Sequence, residues 1–134
     1  MGSGRVSYLV ALHRRFHNVL FDKMKLTIGD TQPGKDRLDA AATTYLDGCL
    51  RDRGVKALLL EARGHLPIAE EVTRRNLMSI DVVAADFEAL GSQYPREAAR
   101  PWIAATAECA LMELERGSRD PAARSALKEL VPDR

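Results

Sequence analysis

The chain has 134 residues, enough for one domain with one hydrophobic core. Its composition, 46% hydrophobic and 29% charged, is that of an ordinary soluble protein. The formal net charge of +1 lacks the basic excess typical of DNA-binding domains, and no apolar stretch approaches the roughly 20 residues of a membrane-spanning helix. We expect no secretion signal, and we expect Cys49 and Cys109 to be reduced thiols of a cytoplasmic protein.

The first predicted helix runs from about Val6 to Ile28. When its residues are spaced at about 100°, the polar side chains form one narrow stripe and the rest of the circumference is apolar. Such a wide apolar arc predicts contacts with neighbouring helices on more than one side. The segment GDTQPGK ends this helix because it contains two Gly and one Pro.

Two shorter helices are predicted next. The second begins near Asp36, a suitable N-cap residue, and ends before Gly54, which suits a left-handed C-terminal cap. The third covers Val55 to Arg63, and Gly64 ends it. Its apolar run is short enough for a strand, but it is rich in helix-forming residues and has no second strand to pair with.

The fourth helix is predicted from its N-terminal chemistry and its long apolar stripe. It begins near Pro67, which fits the first turn of a helix. Glu70 and Glu71 follow where acidic side chains favour the helix dipole. The helix runs to about Leu90, and Gly91 ends it.

The last two helices complete the predicted fold. The fifth runs from about Pro95 to the residue before Gly117, and the sixth begins at Asp120 and Pro121, an N-cap followed by proline. Every long segment has helical period, and none alternates as a strand does. The prediction is an all-α six-helix bundle, a single domain over residues 1–134 without repeats or linkers.

The order of these elements resembles a known family. The run AATTYLDGCLRDRGVKALLLEARGHLPIAEEVTRRN resembles the ligand-binding half of TetR-type transcription regulators. The residues that carry this resemblance are Tyr45, Leu46, Ala57, Leu58, Leu59, Glu61, Ala62, Glu70 and Glu71. The later segments AATAECALMELERG and DPAARSALKEL are similar to the last two helices of that family.

The resemblance implies an all-α domain that binds a small, largely apolar ligand between helices and regulates transcription. In the family, a three-helix DNA-binding unit precedes this domain; none is recognised in this chain, so we expect no direct binding of nucleic acid. The residues predicted to line the ligand cavity are His13, Phe16, His17, Leu20, Tyr45, Cys49, Asn76, Ile80, Phe87, Trp102 and Thr106.

His13 and His17 lie four residues apart, near the centre of the apolar arc of the first helix. Two imidazoles at this spacing can share a Zn²⁺ ion, but HRRFH lacks the glutamate of an HExxH motif. We therefore prefer a role as hydrogen-bonding groups in a core or pocket. No metal site, cofactor or catalytic residue is predicted.

Asn76 falls near the middle of the predicted apolar face of the fourth helix. A buried amide there requires a hydrogen-bond partner. A neighbouring helix or a ligand would supply it, and the sequence favours neither.

The fifth helix suggests a partner. Its circumference is mostly small or apolar, more surface than one domain of this size covers from within. Together with the resemblance, this predicts a symmetric homodimer through the last two helices. The predicted interface residues are Ala105, Cys109, Met112, Leu127 and Leu130. The alternative is a fully internal central helix.

Two other classes of function stay open. A small helical enzyme or metal-binding protein would use the two histidines of the first helix. A helical adaptor would offer the fifth helix to a different protein. The basic pairs Arg14-Arg15 and Arg74-Arg75 are predicted to lie on solvated faces rather than to bind nucleic acid.

Overall fold

A computed structural model describes residues 2–62, 64 and 66–132 of the chain. Within these residues there are six α-helices and no strand, which confirms the all-α prediction. The helices are α1 (Gly2–Ile28), α2 (Lys35–Arg51), α3 (Arg53–Ala62), α4 (Leu66–Ala89), α5 (Pro95–Arg116) and α6 (Pro121–Glu129). None of them has the length and apolarity needed to cross a membrane.

Several helix ends lie where the sequence predicted them. Gly91 and Gly117 follow α4 and α5 with φ of 82° and 81°, in the left-handed region that favours glycine. At the start of α6, the Asp120 carboxylate accepts a hydrogen bond of 3.1 Å from the Ala123 backbone N–H. The predicted end of the third helix at Arg63 lies outside the described residues.

Two predicted caps are wrong. Asp36 is the second residue of α2, and Gly34 is the N-cap, with its carbonyl accepting from the Leu38 N–H. Gly34 takes this position because its own N–H donates to the Asp86 carboxylate of α4 at 3.0 Å. Gly54 lies inside α3, because α2 ends at Arg51 and the next helix begins almost at once. The chain turns there without a left-handed residue.

The helices pack around a core of aliphatic and aromatic side chains from α1, α2, α4, α5 and α6, with Val55 of α3 at its edge. Leu38 and Leu46 of α2 are almost fully buried at its centre. Gly48 brings α2 close to α1, since a Cβ at this position would lie 2.5 Å from Cδ1 of Leu20. A larger residue at position 48 would therefore force the two helices or the Leu20 side chain to shift.

The helices α1 and α4 run side by side in the same direction. Arg14 of α1 contacts Glu71 near the start of α4, and Gly34, just beyond α1, contacts Asp86 near the end of α4. The helices α2 and α5 pack across this pair. These four helices border a cavity.

Candidate functional site

A cavity of about 600 Å³ lies between α1, α2, α4 and α5. It is partly open to solvent and its walls are mostly apolar. The lining residues from α1 and α2 are His17, Asn18, Phe21, Asp22, Met24, Lys25, Ile28, Ala41, Ala42 and Tyr45. Those from α4 and α5 are Arg75, Asn76, Met78, Ser79, Val82, Val83, Asp86, Trp102, Ile103, Thr106 and Ala107.

Five of the residues predicted to bind a ligand line this cavity: His17, Tyr45, Asn76, Trp102 and Thr106. The other six are buried but are not among its lining residues. These are His13, Phe16, Leu20, Cys49, Ile80 and Phe87. They form the packed layer that supports the helices around the cavity.

Two adjacent predictions on α4 are wrong. Asn76 is exposed at the cavity rim and does not lie on a buried face. Arg75, predicted to be solvated, is buried and lines the cavity, because its Nε donates to the Glu71 carboxylate of the preceding turn at 3.3 Å. Arg75 therefore lies on the side of α4 that faces the cavity.

The two histidines of α1 lie against each other in the interior with their rings tilted by 44°. Their ring centroids are 4.3 Å apart. Both Nδ1 atoms are buried without a hydrogen-bond partner among the described residues. No group of three His, Cys, Asp or Glu side chains suited to a metal ion occurs in this part of the chain.

Burial lowers the pKa of both imidazoles. The pKa of His13 falls to about 4 and that of His17 to about 3, mainly through desolvation and then through the nearby positive charge of Lys56. Both rings are therefore neutral at pH 7. A neutral imidazole offers one donor and one acceptor nitrogen to its surroundings.

Lys56 of α3 brings a buried positive charge behind the cavity wall. Its ammonium group donates to the Tyr45 hydroxyl at 3.0 Å. It also lies 5.3 Å from the centre of the Tyr45 ring and 5.7 Å from that of Phe16, distances suited to cation–π attraction. The charge is held in place by these contacts, and it orients the Tyr45 side chain that lines the cavity.

A second charged cluster joins α1 to α4 beside the cavity. The buried carboxylate of Glu71 accepts hydrogen bonds from Arg14, Arg74 and Arg75, at 2.7 to 3.3 Å. Burial raises the pKa of Glu71, but the hydrogen bonds from Arg14 and Arg74 outweigh it and lower the pKa to about 2. The single negative charge of Glu71 is thus paired with three arginines. The cluster therefore has two more positive charges than negative ones.

The predicted dimer residues divide into two groups. Cys109 and Leu127 are buried within a single chain, and Ala105 is half-buried. Met112 is 41% exposed and Leu130 is 59% exposed. The second group is the part of the predicted interface that another copy of the chain can contact.

Several lining residues were not predicted, although the sequence contains a signal for them. Phe21 and Ile28 continue the face of His17 along α1 at helical spacing. On α4, the lining residues Arg75, Ser79, Val82 and Asp86 likewise share one face at helical spacing. Periodicity shows that such residues share a face, but it does not distinguish a packed core from a cavity.

Comparison of the chain with protein-family models, with curated proteins and with solved structures found no match in any of the three.

Proposed function

We propose that this chain binds a small, largely apolar molecule in the cavity between α1, α2, α4 and α5. We propose further that it does so as the ligand-binding and dimerisation part of a transcription regulator resembling the TetR type. The observation that carries the proposal is the cavity of about 600 Å³, mostly apolar and with a few buried polar groups. Ligand sites in proteins typically have this size and character.

Ligand binding in the cavity can be followed by tryptophan fluorescence. Trp102, the only tryptophan of the sequence, lines it from α5. A ligand that displaces water from this space changes the surroundings of the indole ring. Its fluorescence therefore measures binding without a label.

Titration with N-phenyl-1-naphthylamine, a neutral apolar fluorophore, tests the proposal. We expect saturable binding that shifts Trp102 emission and raises the melting temperature, because a ligand that binds only the folded state stabilises it. Two exposed alanines of α5 provide matched variants, since Ala107 lines the cavity and Ala104 does not. Ala107→Phe is expected to weaken binding about tenfold or more by obstructing the cavity.

Ala104→Phe adds the same side chain outside the cavity and is expected to bind as the parent chain does. Equal affinity of the two variants would place the fluorophore elsewhere and contradict the proposal. Absence of saturable binding would contradict it as well.

The proposed dimer rests on two exposed apolar residues, Met112 of α5 and Leu130 directly after α6. Light scattering after size exclusion is expected to give about twice the 14.8 kDa mass of the chain. Met112→Glu is expected to give the monomer, whereas Leu26→Glu, at an exposed position of α1, leaves the dimer intact. A monomer at all concentrations would exclude a homodimer of this chain.

A further inference from the structure

We infer that the ligand of this cavity carries a carboxylate, which His17 and Arg75 bind at one end while an apolar body fills the rest. The inference rests on the proposed function and names the chemical class of the ligand. It follows from three observations: where the two side chains lie, which of their nitrogen atoms lack partners, and how the charge around them is balanced.

The two side chains lie at the same end of the cavity. Arg14 of α1 contacts Glu71 of α4 and fixes the two helices side by side. His17 is three residues beyond Arg14, and Arg75 is four residues beyond Glu71, so each lies about one turn past this contact. Both line the cavity.

His17 presents a polar atom that no described residue satisfies. The residue is 7% exposed, and its Nδ1 has no hydrogen-bond partner. Buried polar atoms in proteins are nearly always paired, because an unpaired one loses its interaction with water without compensation. When Nδ1 carries the proton of the neutral ring, it is a donor suited to a carboxylate oxygen.

Arg75 supplies the positive charge. Its Nε donates to Glu71, and its guanidinium forms no other hydrogen bond within the described residues. The terminal nitrogens of a guanidinium have the planar fork geometry that matches a carboxylate. A ligand carboxylate there would receive a hydrogen bond from a charged donor in partly desolvated surroundings.

The charge balance favours a single negative charge. Glu71 is shared among three arginines, so the cluster around Arg75 has an excess of positive charge. Among the other charged lining residues, Asp86 is bonded by Arg37, and Asp22 and Lys25 carry opposite charges. A doubly charged phosphate would meet stronger repulsion than a carboxylate from Asp22, which also lines the cavity.

The remainder of the cavity is mostly apolar. Beyond His17, its walls are formed by side chains such as Phe21, Met24, Ile28, Val82 and Val83. The ligand is therefore an amphipathic acid with an apolar chain or ring system.

Dodecanoate and 1-dodecanol form a matched pair of probes, because they share the apolar chain and differ in the head group. Each is titrated into the whole chain below the concentration at which dodecanoate forms micelles, with Trp102 emission and calorimetry as readouts. We expect dodecanoate to bind about tenfold or more tightly than the alcohol.

Arg75→Gln is expected to abolish this preference for the acid. Arg14→Gln is the control, because Arg14 pairs with the same Glu71 but does not line the cavity. It removes one positive charge of the cluster without changing the cavity wall, and it should reduce the preference by less than Arg75→Gln does. His17→Phe is a second test that leaves the arginine in place, and it is expected to reduce the preference severalfold.

The outcomes separate this inference from the function on which it rests. Equal binding of acid and alcohol would overturn the inference and leave the apolar cavity as a binding site. Loss of the preference in Arg14→Gln to the same extent as in Arg75→Gln would also overturn it. If neither probe nor the neutral fluorophore binds, both the inference and the proposed function fail.

Discussion

Two buried glutamates of this protein are paired with arginine in different ways. Glu113 of α5 is 1% exposed, and Arg124 of α6 donates to both of its oxygens, at 2.6 and 2.8 Å. The backbone N–H of Asp120 adds a third bond of 2.8 Å. These bonds lower the pKa of Glu113 although burial raises it. The Glu113 cluster is closed, because Arg124 is paired with Glu113 and also with Asp47 of α2, and it fastens α6 to α5 and α2.

The Glu71 cluster is more exposed to solvent, and we call it open by comparison. Its bonds from Arg14 and Arg75 are longer, at 3.2 to 3.3 Å, and Arg14 and Arg74 are about half exposed. It borders the cavity, and the unpartnered Nδ1 of His17 lies about one turn away. A polar cluster that serves stability alone pairs its members with one another. The guanidinium nitrogens of Arg75 that no described residue pairs lie beside an apolar cavity, and they support the proposed binding of a ligand carboxylate.

The largest expected effect on stability is that of Glu113→Gln. It removes the carboxylate from the buried Arg124 guanidinium, and breaking such a pair costs about 3 kcal/mol. Urea unfolding followed by far-UV circular dichroism measures the free energy of unfolding. Glu115→Gln, at an exposed position of the same helix, is the control and should change it by less than about 0.5 kcal/mol. Equal stability of the two variants would show that the Glu113 cluster is not structural.

Glu71→Gln is expected to cost less, about 2 kcal/mol. The half-exposed Arg14 and Arg74 return to water when the carboxylate is lost, and only Arg75 stays buried without its partner. Glu70→Gln, at the neighbouring exposed position, is the matched control. A loss as large as that of Glu113→Gln would remove the distinction between the two clusters.

The smallest expected effect comes from mild acid. Because the pKa values of His13 and His17 are lowered in the folded chain, to about 4 and about 3, only the unfolded chain takes up protons near pH 6.5. The two neutral rings therefore contribute fully to the free energy of unfolding well above pH 6.5. This contribution decreases as the pH falls. Lowering the pH from 7 to 6 is expected to reduce the free energy of unfolding by about 1 kcal/mol.

His17→Phe tests the origin of this pH dependence. It removes one of the two titrating groups and should roughly halve the change between pH 7 and 6, measured by the same urea titrations. A free energy of unfolding that does not change between pH 7 and 5 would contradict the burial of both rings.

The helices were predictable because their ends carry local chemistry. Gly91, Gly117 and Asp120 act through backbone geometry or a short-range cap, which a sequence shows directly. Asp36 was wrongly assigned as the N-cap of α2 because a distant residue places the cap at Gly34. Gly54 was wrongly assigned as a C-terminal cap because the connection between α2 and α3 is very short. At Gly34, the deciding contact comes from Asp86, 52 residues along the chain.

The site was less predictable than the fold. The inward-facing arcs of the helices identified His17, Tyr45 and Trp102 as interior, and these residues line the cavity. Arg75 was missed because its burial depends on how α4 contacts α1 and α5 in the folded chain. Helical periodicity contains no information about such contacts.

The most direct test of the contrast between the two clusters is an NMR titration of the ¹⁵N-labelled chain with dodecanoate. It follows the side-chain N–H signals of Arg75, Arg124 and Trp102. The account predicts saturable shifts for Arg75 and Trp102, which line the cavity, and no change for Arg124 in the closed Glu113 cluster. Unchanged signals of Arg75 at saturation, or equal shifts of Arg75 and Arg124, would contradict it.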